Sequence, residues 1–328
     1  MYHIVRPANH DAWLAERAKG IGSSEAGTIL GVSHFDTPMK LWAKKVGLTP
    51  PTAETFAMEA GHELEPAIAH WYASRTGAYV LPDSVGDWLA VDNERPWRRV
   101  SPDRLFFRAG DARTRENLCI LECKSTSRNV SRESFPQSWF WQVQYQMGVM
   151  GVRHAVIAFL TCYGGRYAFD WVEVEFDPDS FALLVEKLDH FWNVNVLQRI
   201  QPEQVLTNED AQLRWREATQ GSRLVASGEQ EALVKSYLEA EKAKKEAEER
   251  MDGIALQIRR FMEDKETLVS SSDKVLLTYK NSSSVRFDTT AFKNARPDEY
   301  SQFTVSSQGR RLDFKRPRAA SSASSSAA

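Results

Sequence analysis

The stretch Leu118-Cys119-Ile120-Leu121-Glu122-Cys123-Lys124 reads as a β-strand of apolar residues with two opposite charges set into it. Side chains alternate across a strand, so Glu122 and Lys124 share one face while Cys119, Leu121 and Cys123 point to the other. Such a strand belongs inside a sheet, where its charges are costly unless something bridges them. Arg104-Leu105-Phe106-Phe107, followed by Gly110-Asp111, supplies the neighbouring strand of a hairpin with a long turn. Asp103 stands at the start of that neighbour, and a hairpin returns it to Glu122 across 122 − 103 = 19 positions.

The segments around this hairpin set the fold class. Residues 11–19 predict a first helix, and Gly20-Ile21-Gly22-Ser23-Ser24-Glu25 a tight turn leading into a helix N-terminus. Leu64, Ile68, Trp71 and Tyr72 recur at helical spacing around Pro66, which suits a first helical turn, and Gly77 supplies the stop. Phe140, Val143, Met147 and Met150 form the buried stripe of a further helix. Strand signals at 155–162 and 166–176 flank Gly164-Gly165, and Asp177-Pro178 opens a helix with Leu184, Leu188 and Phe191 on its inward face. The order α, α, β, β, α, β, β, α predicts the α/β (α+β) class over residues 1–200, a mixed central sheet flanked by helices.

Beyond residue 200 the texture changes. A C-terminal extension is expected over 201–318, with a long charged helix at 229–262 and small strands at 275–279, 284–287 and 303–305. Leu233, Tyr237, Ala240, Lys244, Ala247, Met251, Ile254, Ile258 and Phe261 alternate four and three along the helix, Lys244 being the single break. At 1.5 Å per residue such a helix reaches about 50 Å. Two readings stay open: a coiled-coil arm for self-assembly or a partner, and a helix packed along the main domain. Residues 310–318 are basic, and the Ser/Ala run at 319–328 predicts a disordered tail.

The 328 residues carry 42 Lys and Arg against 44 Asp and Glu, a net charge of −2. That excludes a protein that coats nucleic acid by bulk charge, but not one that grips it through a local cluster. The longest apolar run, 155–160, falls far short of the ~20 residues that cross a bilayer, and no secretory leader pattern opens the chain. Neither a membrane nor a secreted protein is expected. Cys119, Cys123 and Cys162 form no C-x-x-C and cannot all pair, which predicts reduced thiols in the cytoplasm. His62, close to Glu65, reads as a satisfied or exposed side chain rather than a ligand.

A carboxylate pair beside an ammonium is a setting in which a divalent cation bridges charge, and oxygen donors favour Mg²⁺ or Mn²⁺ over zinc. The plain alternative is a buried salt bridge. The accompanying motifs favour the cation. Arg17-x-x-x-Ile21-Gly22-Ser23-Ser24-Glu25, Gly61-x-x-Leu64-Glu65-Pro66, Ser101-Pro102-Asp103, Glu122-Cys123-Lys124 and Gln142-Val143-Gln144-Tyr145-Gln146-Met147 follow one another at compatible spacings. Together, over roughly residues 10–195, they resemble the phage-type recombination exonucleases. These are the YqaJ-like and lambda-exonuclease-like families of the PD-(D/E)XK nuclease superfamily.

The resemblance implies roles for individual residues. Asp103 and Glu122 would be metal ligands, with the backbone carbonyl of Cys123 completing the first of two Mg²⁺ sites, and Mn²⁺ a possible substitute. Lys124 would contact the nucleophilic water, Glu65 would help hold that water or the second ion, and Gln142 matches the active-site glutamine. Arg17, Ser24 and Ser101 would bind a terminal 5′-phosphate, in keeping with a guanidinium fork and free N–H groups at a helix start. Asp92, with Glu94 close by, matches an acidic position upstream of Ser-Pro-Asp, and Gln144 is a further candidate. Plain alternatives accompany several of these. Glu65 reads as an acid at a helix N-terminus, Arg17 as a surface partner of Glu16 or Glu25, and Ser24 as a helix cap. Gln144 and Gln146 read as solvent-facing amides.

The implied activity is a Mg²⁺-dependent exodeoxyribonuclease acting 5′-to-3′ on linear double-stranded DNA. It would digest from 5′-phosphorylated ends to 5′-mononucleotides and leave a 3′ single strand for recombination by strand annealing. The implied partners are duplex DNA ends, further copies of the chain in a trimeric ring, and a single-strand annealing protein in a bacterial cell carrying the phage or prophage. Two other readings are an endonuclease of the same fold, specific for structure or sequence, and a non-catalytic DNA-end binding protein.

Overall fold

A computed structural model describes residues 1–50, 55–82, 87–304 and 310–314. The chain divides into two compact units, Met1–Trp215 and Arg216–Ala328. In the first, β1 (Tyr2–Val5) leads to α1 (His10–Ala18), which the Asn9 side chain caps by accepting from the Ala12 amide. A 3₁₀ turn at Ser23–Glu25 precedes α2 (Ala26–Ile29), α3 (Pro38–Lys45) and α4 (Phe56–Thr76). The strands β2 (Tyr79–Val80), β3 (Leu89–Asp92), β4 (Arg99–Val100), β5 (Arg104–Phe107) and β6 (Cys119–Thr126) follow. Helix α5 (Gln137–Met150) crosses to β7 (His154–Tyr163), and β8 (Arg166–Glu175) returns beside it. Helix α6 (Pro178–His190), a π-helical turn at Phe191–Val196, and α7 (Asn208–Arg214) complete the unit.

The central sheet has the order β2-β5-β6-β7-β8, with β6 and β7 parallel and the other pairs antiparallel. This is the mixed sheet flanked by helices that the segment order predicts. The period of two along β6 decides its two faces. Leu121 and Cys123 pack with Ile68 and Tyr72 of α4, whereas Ile120 joins Val143 and Met147 of α5 in the larger core. Gly164 and Gly165 form the two-residue β7–β8 turn and take φ of 59° and 75°, a left-handed pair that strand twist favours and side chains oppose.

Several expectations change. Helix α4 begins at Phe56, capped by Thr55, so Pro66 lies inside the helix rather than in its first turn. Its missing N–H and ring clash cost roughly 3 kcal/mol, offset by burial of Ile68, Ala69 and Tyr72. Helix α5 has no solvent face along most of its length: Gln144 and Gln146 are fully buried, because the helix packs against β3, β4 and β7 as well as α2 and α6. A three-stranded sheet, β1-β3-β4, was not predicted; its strands are too short to show a period.

The first unit also runs past residue 200. Asp210 of α7 is fully buried and accepts from Thr37 Oγ1 at 2.5 Å and from the Leu206 and Thr207 amides at 2.9 and 3.0 Å, tying α7 to α3. In the second unit α8 (Gly228–Met262) matches the expected long helix. The hairpin β9 (Thr267–Val269) and β10 (Val275–Thr278) follows it, then α9 (Thr289–Ala295) and α10 (Pro297–Gln302). Residues 284–287 form no strand and Phe303 ends α10; Val305 and the 319–328 run lie outside the described residues. Replacing Asp210 by Ala strands three donors in the core and should cost about 3 kcal/mol, read as a lower urea midpoint for unfolding of the first unit.

Candidate active site

The β5–β6 register pairs Arg104 with Leu121, which sets Asp103 level with Glu122 where β5 begins. There the Cys123 amide donates to Asp103 Oδ2 at 2.6 Å. The amide and carbonyl of a strand residue leave on the same edge, so the Cys123 carbonyl shares this edge with Asp103. Glu122 is 2% exposed. Its Oε1 accepts from Lys124 Nζ at 2.7 Å and Gln142 Nε2 at 2.5 Å, and its Oε2 from Gln146 Nε2 at 2.8 Å. Lys124 Nζ donates in turn to Gln142 Oε1 at 3.0 Å. Gln146 also donates to Ser23 Oγ at 3.2 Å, joining Glu122 to the turn between α1 and α2.

The electrostatics follow from this crowding. Burial first, then the Glu122 and Glu65 carboxylates, push the Asp103 carboxyl well above the ordinary range. Burial and Glu122 likewise raise Glu65, opposed by His62, Arg104 and Lys124. For Lys124, burial alone would weaken the ammonium, but Glu122 and Asp103 outweigh it and raise its pKa, so the side chain stays charged. Burial raises the Cys123 thiol well above its usual value, which rules it out as a thiolate nucleophile near neutrality.

These groups open into one cleft of about 530 Å³. Its walls include Glu65, Asp103, Glu122, Cys123, Lys124 and Gln142, and also Arg17, Ser24 and Ser101. The three acids and the lysine thus meet the anion-binding candidates in a single space. Arg17 Nη2 donates to Ser24 Oγ, and its guanidinium lies 5.1 Å from the centre of the Trp13 ring. Neither Glu16 nor Glu25 holds Arg17: Glu16 pairs with Lys19 and Arg99, and Glu25 with Lys45. Gly22 leaves room for the guanidinium, since a Cβ there would stand 3.0 Å from Arg17 Nε. Ser101 lines the cleft while donating to the Trp88 carbonyl at 2.6 Å.

Two candidates lie elsewhere. Asp92 ends β3 and accepts from the Glu94 and Arg95 amides at 2.9 and 3.1 Å, closing the turn towards β4. Gln144 donates to the Glu175 carbonyl at 2.7 Å and accepts from the Asp177 amide at 3.0 Å, clipping α5 to the junction of β8 and α6. Mid-helix, Glu65 is also not the helix N-terminal acid that Pro66 suggested.

Sequence reasoning passed over other lining residues. His10 stacks on Trp13 at 5.3 Å and sits 3.0 Å from Asp87 Oδ2. Trp13 and Arg17 are four apart on α1, a spacing that could have flagged their shared face. Arg99 is buried and pairs with Glu16 at 3.0 Å; nothing in its local sequence separates it from Arg98.

The donor chemistry suits a hard cation. Three carboxylates and an edge carbonyl line the cleft, and Asp103 and Glu65 are each driven towards protonation by burial first and then by the acids around them. Among the described residues no three His, Cys, Asp or Glu side chains stand in ready coordination geometry, and protein hydrogen bonds occupy both Glu122 oxygens and Asp103 Oδ2. A carboxyl with a raised folded pKa binds more protons folded than unfolded. In chelator, stability should therefore fall as pH climbs from the ordinary carboxylate range through the raised values. Asp103→Asn should flatten that part of a urea-unfolding profile.

The chain is similar to several known proteins. Residues 12–153 match the model of the YqaJ-like viral recombinase domain. The YqaJ protein of Bacillus subtilis (strain 168) is 27% identical over 315 residues, covering 94% of each chain. The alkaline exonuclease LHK-Exo from Laribacter hongkongensis is 21% identical, covering 56% of this chain and 90% of that one, with a TM-score of 0.42. A phage related exonuclease from Haemophilus somnus 129PT is 12% identical, covering 55% and 96%, with a TM-score of 0.36. The matched stretch, residues 12–153, contains every lining residue named above except His10.

Proposed function

We propose that this cleft is the active site of a metal-dependent DNA exonuclease of the phage recombination type, with PD-(D/E)XK chemistry. It digests linear duplex DNA from a 5′-phosphorylated end and leaves a 3′ strand for annealing. The observation that carries this reading is that Asp103, Glu122 and Lys124 open into the same cleft as Arg17 and Ser24. A catalytic acid cluster and an end-phosphate pocket sharing one space favour an exonuclease over an endonuclease, which needs no end pocket.

Asp103, Glu122 and the Cys123 carbonyl would hold Mg²⁺, with Glu65 on a second ion or on water, and Mn²⁺ able to replace it. Bound there, the metal would act as a Lewis acid towards phosphate and lower the pKa of coordinated water. The remaining work falls to the chain. The Lys124 ammonium, 2.7 Å from Glu122 Oε1 and partly exposed, donates towards the attacking water and offsets developing negative charge. Gln142 bonds both Glu122 and Lys124, so it fixes their relative orientation. Arg17 and Ser24 bind the terminal 5′-phosphate, and Ser101 lines the same cleft. The same reading includes a ring of three copies around the duplex, a single-strand annealing protein as partner, and a cytoplasmic site of action.

Linear duplex labelled at either end, followed over time in Mg²⁺ or chelator, tests the reading. Metal-dependent loss of the 5′ label ahead of the 3′ label supports it. Cutting of closed circular plasmid, or end binding without degradation, sinks it. Lys124→Ala should slow digestion by about 100-fold or more while end binding persists. Arg17→Ala should bring the rates on 5′-phosphate and 5′-hydroxyl ends together, and an unchanged ratio removes Arg17 from the pocket.

A further inference from the structure

Helix α8 carries an apolar seam that no described element of its own unit packs along. Along it, Leu233 is 72% exposed and Met251 69%, and Tyr237, Ile254 and Phe261 are exposed as well. Phe314 stacks on Tyr237 and leaves it half exposed. Met262 alone is buried among the described residues of this unit. Four ion pairs decorate the helix, Lys235–Glu239, Lys242–Glu246, Lys244–Glu248 and Lys245–Glu249. They are exposed and run Lys-before-Glu, the weaker orientation, so they do little to stabilise it.

We propose that α8 pairs antiparallel with α8 of a second copy of this chain. Charge complementarity selects that occupant and that direction. The first part of the helix, 228–241, has four Glu against one Lys. The middle, 242–249, has three Lys against three Glu, and the end, 250–262, has three Arg against one Asp. Antiparallel pairing lays the acidic start against the basic end of the second copy, and parallel pairing lays like charge against like.

The seam itself agrees. In the antiparallel register, Leu233 faces Ile258, Tyr237 faces Ile254 and Ala240 faces Met251, so a small residue receives a large one. Lys244, the one polar seam residue, then faces Ala247, and its ammonium extends towards Glu248 of the second copy. In parallel register Lys244 would face Lys244. The pairing has two-fold symmetry and closes on itself. It is independent of the reaction assigned to the cleft.

Disulfide trapping of the full chain tests direction and register together, in a Cys162→Ser background because Cys162 is exposed. Ala240→Cys and Met251→Cys are made separately. In the proposed register two Cys at 240 are about 16 Å apart along the axis, too far to bridge. Each variant alone should therefore stay monomeric on a non-reducing gel, and their mixture should form a covalent dimer. Cross-linking of Ala240→Cys by itself reveals parallel pairing and overturns the proposal; so does the absence of cross-links in the mixture. By light scattering, Met251→Glu with Ile254→Glu, at two exposed positions, should halve the mass in solution. An unchanged mass assigns the seam to another partner or to the chain itself, and also overturns the proposal.

Discussion

A carboxylate in the interior of a β-sheet has to be met by donors from every side, and Glu122 is that carboxylate. It is nearly inaccessible, yet both oxygens are saturated by an ammonium and two amides. Each donor constrains a different part of the chain. Lys124 requires the same strand two residues on. Gln142 and Gln146 require α5 to lie over that strand with its polar edge inward. Through Ser23, Gln146 also brings the turn after α1 to the same place. The hydrogen-bonding demand of one acid thus draws together sheet, crossover helix and N-terminal turn.

Charge remains unbalanced within this arrangement. Burial and mutual crowding with Glu122 push Asp103 and Glu65 towards protonation, while Arg17, Arg99 and the Ser24 and Ser101 side chains line the same cleft. Carboxylates and a guanidinium lining one cleft are the groups that the proposed cation and phosphate would require. Cys123 illustrates how alternation divides the labour: its thiol is spent in the apolar layer under α4, and its main chain faces Asp103.

The legible part of the site was the part written in short-range pattern. The hairpin placing Asp103 near Glu122, the shared face of Glu122 and Lys124, and the helix carrying Gln142 all follow from period two, period 3.6 and turn residues. Asp92 and Gln144 are not among the residues lining the cleft. Both are polar residues near the motifs whose hydrogen bonds are taken outside the cleft, Asp92's by its own turn and Gln144's by the distant β8–α6 junction. Pro66 misled because a helix start and a tolerated interior proline look alike until the burial of Ile68 and Tyr72 is known.

By itself, the sequence determined the β5–β6 hairpin and the helix carrying Gln142, the alternation of charge and apolar side chains on β6, and the four-three seam of α8, since all of these depend on neighbours in the chain. Only the tertiary structure decided that α5 is enclosed on both sides, that α7 belongs to the first unit through Asp210, and that Trp13, His10, Asp87 and Arg99 join the cleft. Those outcomes rest on contacts between residues tens of positions apart. Such contacts are chosen by the burial of whole faces and the pairing of buried charge, which no local window of sequence contains.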